Sequence, residues 1–467
     1  MSTSFVKRGM ALLIALLMAG GLVACKPSTP ASSGSSESGT STGTSGDPND
    51  YQQNDFRMMA WWDSTAAPGS ETEKLQKEIA AQYNIREIKT ISVPLSEYMT
   101  RLTSELSTGN PPDICWTTSD MLVSLVNNDS LAPLDDFDLA QSKVFVPQYS
   151  DAAKINGKRY ALTSDTYPEG ILYNKTLIKN AGFEDPWDLY NAGNWTWDNF
   201  YKIAKGVTQS SKSQYGFVGG YSFANVYCQT AGFLYTNGST PVKDVDGKKV
   251  FAMDDPSQLE ALQFIEKLFT GTTAVVNPEE ISEHMLTDSF KSGKVAFAAS
   301  FGYDVEVNLK KATVAFDYAL VPYPKGPKAE KNSSPMRSGG GVACPKGTRN
   351  PMLALKIFEE YLLAEKKPAY MDLDGKLDEA EWAKNFTRGQ LYFSDAQLSR
   401  MCQTDAELEN VVKLIDTQVQ TWEGSYGLTE LMTELMQVVV EGKETPASAV
   451  QSRKSRAQEI IDLALGQ

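Results

Sequence analysis

Histidine is almost missing from this chain, and its scarcity excludes more chemistry than any residue that is present. His284 is the only one, so no His-based triad or His general-base pair can be built without it, and no multi-His metal site can be built at all. It lies in Glu283-His284-Met285, a helical context, and reads as a surface residue. Cysteine is also sparse. Cys25, Cys115, Cys228, Cys344 and Cys402 contain no CxxC pair, which removes the usual dithiol and zinc-ribbon patterns, and their spacing supports no disulfide. Two of them fall in apolar strand-like runs and read as small buried hydrophobes. No run of about 20 apolar residues exists to span a bilayer, since Met10 to Met18 is far too short. Clustered Lys and Arg are absent as well. With 44 basic against 58 acidic residues the formal charge is −14, which argues against nucleic acid as a partner and against an anionic membrane surface gripped by the folded body.

What is present begins with a secretion signal. Lys7 and Arg8 supply a positive start, Met10 to Met18 an apolar run, and Gly20, Gly21 and Ala24 small residues before a cleavage point, so residues 1–24 are expected to be removed. Their loss takes the charge to −16. Leu22-Val23-Ala24-Cys25 matches the bacterial lipobox, in which Cys25 receives the lipid and becomes the mature N-terminus. The alternative is an ordinary signal with an incidental Cys. Each buried methylene of an acyl chain would contribute about 0.8 kcal/mol to membrane anchoring. Residues 25–50 are Ser, Gly, Thr and Pro with few apolar side chains, too few to offset the entropy of ordering, and form a tether.

From Phe56 onward the pattern is globular, and a chain of this length exceeds one ordinary core and calls for two lobes. Phe56 to Trp62 reads as a strand, Glu71 to Tyr83 as a helix, Ile91 to Leu95 as a strand, and Ser96 as the cap of the next helix. Ile114-Cys115-Trp116 follows as a third strand. Strands alternating with helices imply a mainly parallel sheet, with ligands at the strand carboxyl ends. Those ends carry Trp61, Trp62 and Asp63, then Trp116 and Asp120. Asn156-Gly157 and Asp246-Gly247 are hairpin turns, Asp255-Pro256 and Asn350-Pro351 are helix starts, and the tail from Ala406 reads as helical throughout.

The stretch from Ile155 to Phe200 is the most telling. Gly157, Tyr160, Tyr173-Asn174-Lys175, Ala181-Gly182 and Thr196-Trp197-Asp198, with Pro112-Asp113-Ile114 earlier, resemble the extracellular solute-binding proteins of the carbohydrate-importing ABC class, the maltose-binding type. The resemblance spans residues 55–465 and is patchy between Pro368 and Met401. It implies an α/β, two-lobe, periplasmic-binding-protein-like (type II) fold with hinge crossings near 170, 340 and 420 and a ligand cleft between lobes. The implied lobes are residues 51–170 with 341–420, and 171–340 with 421–467. It further implies capture of a sugar or oligosaccharide by a monomer that serves an ABC permease, with no cofactor and no catalysis. Other solutes, a peptide or a polyamine, and a sensing or adhesion role on the same fold stand as alternatives.

Sugars present hydroxyl edges and apolar C–H faces, so their sites combine aromatic planes with carboxylates, amides or Arg. By position the candidates are Trp62, Trp116, Tyr221, Tyr303 and Trp422 for stacking, and Asp63, Asp120, Glu169, Asp304, Arg337 and Tyr167 for polar contacts. Tyr167 and Glu169 would floor the cleft. For the large aromatics the competing reading is core packing, and for the acids helix capping or a solvated loop. Ser338 to Ala343, with three consecutive glycines, reads as the return crossing. Trp195 and Trp197 read as structural wedges at a helix start. Met371 to Glu381 matches an EF-hand calcium loop through Asp372, Asp374, Gly375, Asp378 and Glu381, but Tyr370 occupies the first ligand position, and a surface turn leading into a helix is the competing reading.

Overall fold

The computed structural model describes residues 50–152, 154–164, 168–218, 230–270, 290–302, 305–310, 314–336, 341–420 and 426–465. Strand β1 (Phe56–Ala60) lies between β2 (Ile88–Ser92) and β3 (Ile114–Thr117), parallel to both, with Met58 opposite Thr90 and Ile114. Helices Glu71–Gln82 and Leu95–Ser107 make the crossovers. Ser70 Oγ caps the first by accepting from Glu73 N at 3.1 Å. The second starts at Leu95 behind Pro94, and no side chain caps it. The expected cap, Ser96, instead lies inside its first turn, because Pro94 with its fixed φ already closes the extended segment.

Two short hairpins follow the turn chemistry. Strands β4 (Lys154–Ile155) and β5 (Lys158–Arg159) pair across Asn156 and Gly157, at φ 52° and 78°. These left-handed values suit a type I′ turn, which Asn-Gly adopts at little steric cost. In the second body β6 (Glu169–Asn174) is central, β7 (Tyr215–Val218) is at an edge, and β8 (Val242–Val245) with β9 (Lys248–Phe251) forms the other hairpin at Asp246 and Gly247. Strands β10 (Val295–Phe301) and β11 (Tyr318–Val321) flank β6, each antiparallel to it, while β10 runs parallel to β7.

Three short strands complete the set. β12 (Ser334–Met336) pairs in parallel with β14 (Gln418–Gln420), and β13 (Gly341–Ala343) runs antiparallel to β3 at the edge of the first sheet. The sheet orders are β13-β3-β1-β2 and β11-β6-β10-β7. In each sheet the strand of opposite sense is the one entered from a crossing. The other strands therefore aim their carboxyl ends at the crossings: Thr117 lies opposite Gly341, and Phe301 opposite Glu169.

The crossings touch one another. Leu162 and Val342 exchange backbone hydrogen bonds at 2.8 Å in both directions. A Cβ on Gly341 would sit 2.5 Å from the Leu162 carbonyl, so only glycine allows that approach. Gln418 brackets Glu169, its Oε1 accepting from Glu169 N at 3.3 Å and its Nε2 donating to Glu169 O at 3.2 Å. β14 interrupts the tail that was expected to be helical throughout; a three-residue Gln-Val-Gln strand leaves no period for a pattern search to find. Around it stand helices Leu408–Asp416, which packs on β11 of the second sheet, Thr429–Val440 and Pro446–Leu465.

Strand alternation splits the core. Phe56, Met58, Ala60, Trp116 and Cys344 face the helix Pro351–Lys366, while Met59, Cys115 and Ala343 face the other side. Because Ala343 is the residue opposite Cys115, Cys115 and Cys344 project from opposite faces, and a disulfide between them is geometrically closed. Both thiols are free and buried, as is Cys402, and burial pushes Cys115 up to about 12. Cys228, His284 and Cys25 lie outside the described residues.

Candidate ligand site

Trp62, the second residue past β1, has 39% of its surface exposed, the only tryptophan among the large exposed apolar residues described. It is not isolated. Its ring meets Trp116 edge-on at 4.9 Å and 71°, and Trp61 at 5.2 Å and 80°. Trp61 in turn meets Tyr98 at 5.4 Å, and Trp116 meets Phe358 at 5.0 Å. Trp116 itself is buried, at 8% exposure. Its place on β3 turns it toward the helix Pro351–Lys366, so it backs Trp62 rather than opening to solvent.

Asp63 stands exposed beside Trp62. Its Oδ1 accepts from Thr65 N at 2.9 Å, and hydrogen bonding from Thr65, side chain first and then backbone, holds its carboxyl below the usual carboxylate range. The strand end thus presents a charged acceptor next to an aromatic ring. Asp120 is the second residue of the helix Ser119–Asn127, which starts just past β3 with Thr118 as its cap.

Glu169 opens β6 at the crossings and is 1% exposed. Tyr323 Oη donates to its Oε1 at 2.7 Å, and Tyr323 N donates to Ser334 Oγ at 3.0 Å, so the carboxyl is linked through Tyr323 to the second crossing, while Gln418 of the third holds the Glu169 backbone. It is a buried hinge residue. The acid expected at the cleft floor is enclosed here, with its carboxyl bonded to Tyr323, more than 150 residues later. Tyr167, Tyr221, Tyr303, Asp304, Arg337 and Trp422 lie outside the described residues. Of the strands leading toward Tyr303 and Tyr221, β10 ends at the first crossing, with Phe301 opposite Glu169, while β7 ends at Val218 beside Ala298, three residues short of it.

Trp195 and Trp197 are structural, as expected. Both are buried, their indole N–H groups donate to Pro322 O at 2.6 Å and Thr236 Oγ1 at 3.0 Å, and Trp197 stacks on Phe264 at 4.5 Å. In the calcium-like loop the carboxylates serve their own backbone. Asp372 accepts from Asp374 N and Lys376 N, Asp378 caps the helix Glu379–Lys384 by accepting from Glu381 N, and Glu381 pairs with Lys384. No cluster of metal-binding acids forms among the described residues. The sequence places Tyr98 and Phe358 on the apolar faces of their helices but not beside the site, and gives no sign of Tyr323 or Gln418 there; each acts through a partner distant in the chain.

Two α/β bodies joined by three touching crossings, with strand carboxyl ends turned toward the joint, define the type II two-lobe binding architecture. The model of the bacterial extracellular solute-binding protein family matches residues 63–368, and the chain belongs to that family. A binding protein of Brucella abortus (strain 2308) is 20% identical over 402 residues, covering 85% of this chain and 91% of its own. The maltodextrin-binding protein of Bacillus subtilis (strain 168) is 23% identical over 273 residues, 58% of this chain and 61% of its own. Among solved structures, the ABC substrate-binding protein of Listeria monocytogenes in complex with cycloalternan aligns with a TM-score of 0.63 and 17% identity, over 89% of this chain and 99% of its own. Among the described residues no helix is long and apolar enough to cross a membrane.

Proposed function

We propose that this protein captures a carbohydrate, an oligosaccharide in particular, outside the cytoplasmic membrane and delivers it to an ABC permease, binding it without chemical change. The observation that carries this is the exposed Trp62 with the ionised Asp63, placed where the parallel strands of the first sheet end at the crossings. An aromatic plane beside a charged acceptor suits a pyranose, which offers C–H faces and hydroxyl edges. The saccharides bound by the Bacillus and Listeria relatives support the same class. Asp120, Tyr167, Tyr221, Tyr303, Asp304, Arg337 and Trp422 complete the proposed contact set, with Trp116 as backing.

The lobes are residues 51–170 with the segment returning at 341, and 171–340 with the tail; the packing of Leu408–Asp416 on β11 favours ending the first lobe's share before that helix. A ligand that touches both lobes binds the closed arrangement better than the open one, and that difference shifts the population toward closure. The protein acts as a monomer, held to the outer face of the membrane by lipid on Cys25 after removal of residues 1–24, through the 25–50 tether. The test is a thermal-shift screen of the chain from residue 50 onward against maltodextrins, cycloalternan, peptides and polyamines. A saccharide at 100 times its dissociation constant adds roughly 2.7 kcal/mol of stability. A rise in melting temperature with peptides or amines alone contradicts the carbohydrate assignment.

A further inference from the structure

We propose that Trp62 is a preset stacking platform for one saccharide ring, and that Trp116 and Phe358 are positioning residues that hold it; this rests on the carbohydrate reading above.

Five aromatic rings run without a break from the interior to the strand end. Phe358, wholly buried, meets Trp116; Trp116 meets Trp62; Trp62 meets Trp61; Trp61 meets Tyr98, also wholly buried. Successive centroids lie 4.9 to 5.4 Å apart and every pair is close to perpendicular, at 71° to 80°. Edge-to-face contact is the arrangement that ring quadrupoles favour, and it is directional.

Both ends of the run are fastened. Tyr98 Oη donates to Met59 O at 2.9 Å, fixing that ring to the body of β1. At the other end Phe358 stacks on Tyr361 at 6.4 Å and 13°, and Tyr361 Oη donates to Ser64 O at 2.7 Å. Tyr361 thus returns to the same turn that carries Trp62. The loop leaving β1 is pinned from two helices, Leu95–Ser107 and Pro351–Lys366.

An exposed tryptophan on a strand-end turn would ordinarily sample several rotamers, and immobilising it on binding would cost affinity. Here that freedom is already lost in the free protein, because Trp62 has a ring edge-on at each side. A ring held in one orientation favours a flat, rigid partner with an apolar face. A pyranose meets that description, and the Asp63 carboxylate beside it accepts from hydroxyls on the ring's edge. An extended peptide offers no such plane.

The experiment is a double-mutant cycle read by affinity and by the tryptophan circular-dichroism couplet that near-perpendicular indoles produce. In the ligand-free protein the couplet is present, Trp62→Ala removes it, and Phe358→Leu weakens it. Titration with a maltodextrin or cycloalternan leaves the sign and size of the couplet in wild type as they were, because the ring does not turn on binding. Phe358→Leu raises the dissociation constant roughly two- to tenfold, the scale of one aromatic edge contact, but adds nothing once Trp62 is Ala. Trp116→Phe, which keeps a ring in place, gives a smaller rise and serves if Phe358→Leu fails to fold. An equal loss from Phe358→Leu in both backgrounds overturns the positioning role. A couplet that collapses or inverts on saccharide binding overturns the preset orientation, a saccharide affinity unchanged in Trp62→Ala overturns the platform, and an intact couplet in Trp62→Ala overturns the ring arrangement itself. If no saccharide binds wild type, the carbohydrate reading falls together with the platform's proposed occupant, and the ligand-free couplet still separates that failure from an error in the ring geometry.

Discussion

Trp62 in the first lobe and Trp197 in the second both follow a strand or open a helix, yet their surroundings differ completely. Trp197 is buried, stacks flat on Phe264 and donates its N–H to Thr236; Trp62 is two-fifths exposed and touches other rings only at a steep angle. The first fills space and satisfies a polar group. The second is oriented without being covered. The contrast teaches that exposure combined with fixed orientation, rather than aromatic identity, marks a side chain kept ready for a partner.

The largest effect expected from breaking this contrast is on the structural side. Trp197→Ala opens a cavity in the second lobe and should cost about 3–5 kcal/mol by denaturant unfolding, with saccharide affinity of the folded fraction unchanged within about twofold. A large affinity loss at full stability would show that the two tryptophans had been assigned the wrong way round. Next comes Trp62→Ala, which should weaken the best saccharide at least about tenfold by calorimetry while lowering stability far less than Trp197→Ala does. Unchanged affinity would remove Trp62 from the site.

Tyr323→Phe keeps the ring and deletes the bond to Glu169, sharpening the distinction between a buried hinge acid and a ligand contact. The loss should be about 1–3 kcal/mol of stability, measured by urea unfolding; no loss would mean that the bond contributes nothing to the hinge. The smallest effect is expected at Glu365, whose carboxyl is pushed above the usual range by burial. A raised folded value means that the neutral form is the one the fold prefers. Its favourable contribution is complete below the ordinary carboxylate range and is lost as pH climbs through the raised value. Glu365→Gln should therefore raise the melting temperature slightly at neutral pH and leave it unchanged in acid; the reverse pattern would contradict the sign.

Local chemistry was easiest to read from the chain. Asn156-Gly157 and Asp246-Gly247 declare their turns because so few residues accept left-handed φ at both positions. Asp255 and Asn350 cap their helices as Pro at the next position implies. The family resemblance supplied the two lobes and three crossings. Contacts between distant segments stayed hidden. Trp116 looked as free as Trp62 until Phe358 closed over it from 242 residues away, and Glu169 looked like a cleft acid until Tyr323 reached it. β14 was invisible because three residues carry no period, and its pairing with β12 is what makes it a strand. At the calcium-like loop, spacing left two readings open, a metal loop and a surface turn leading into a helix; acids at the right intervals bind metal only if the backbone turns them inward, and here Asp372 and Asp378 accept from backbone N–H groups of the same loop and helix start.

Capture as proposed requires the two sheets to draw together over a bound saccharide. Small-angle scattering of the chain from residue 50 onward, with and without the tightest-binding saccharide at saturation, measures that directly. A smaller radius of gyration in the loaded protein is the predicted result; superimposable profiles at proven saturation would contradict it.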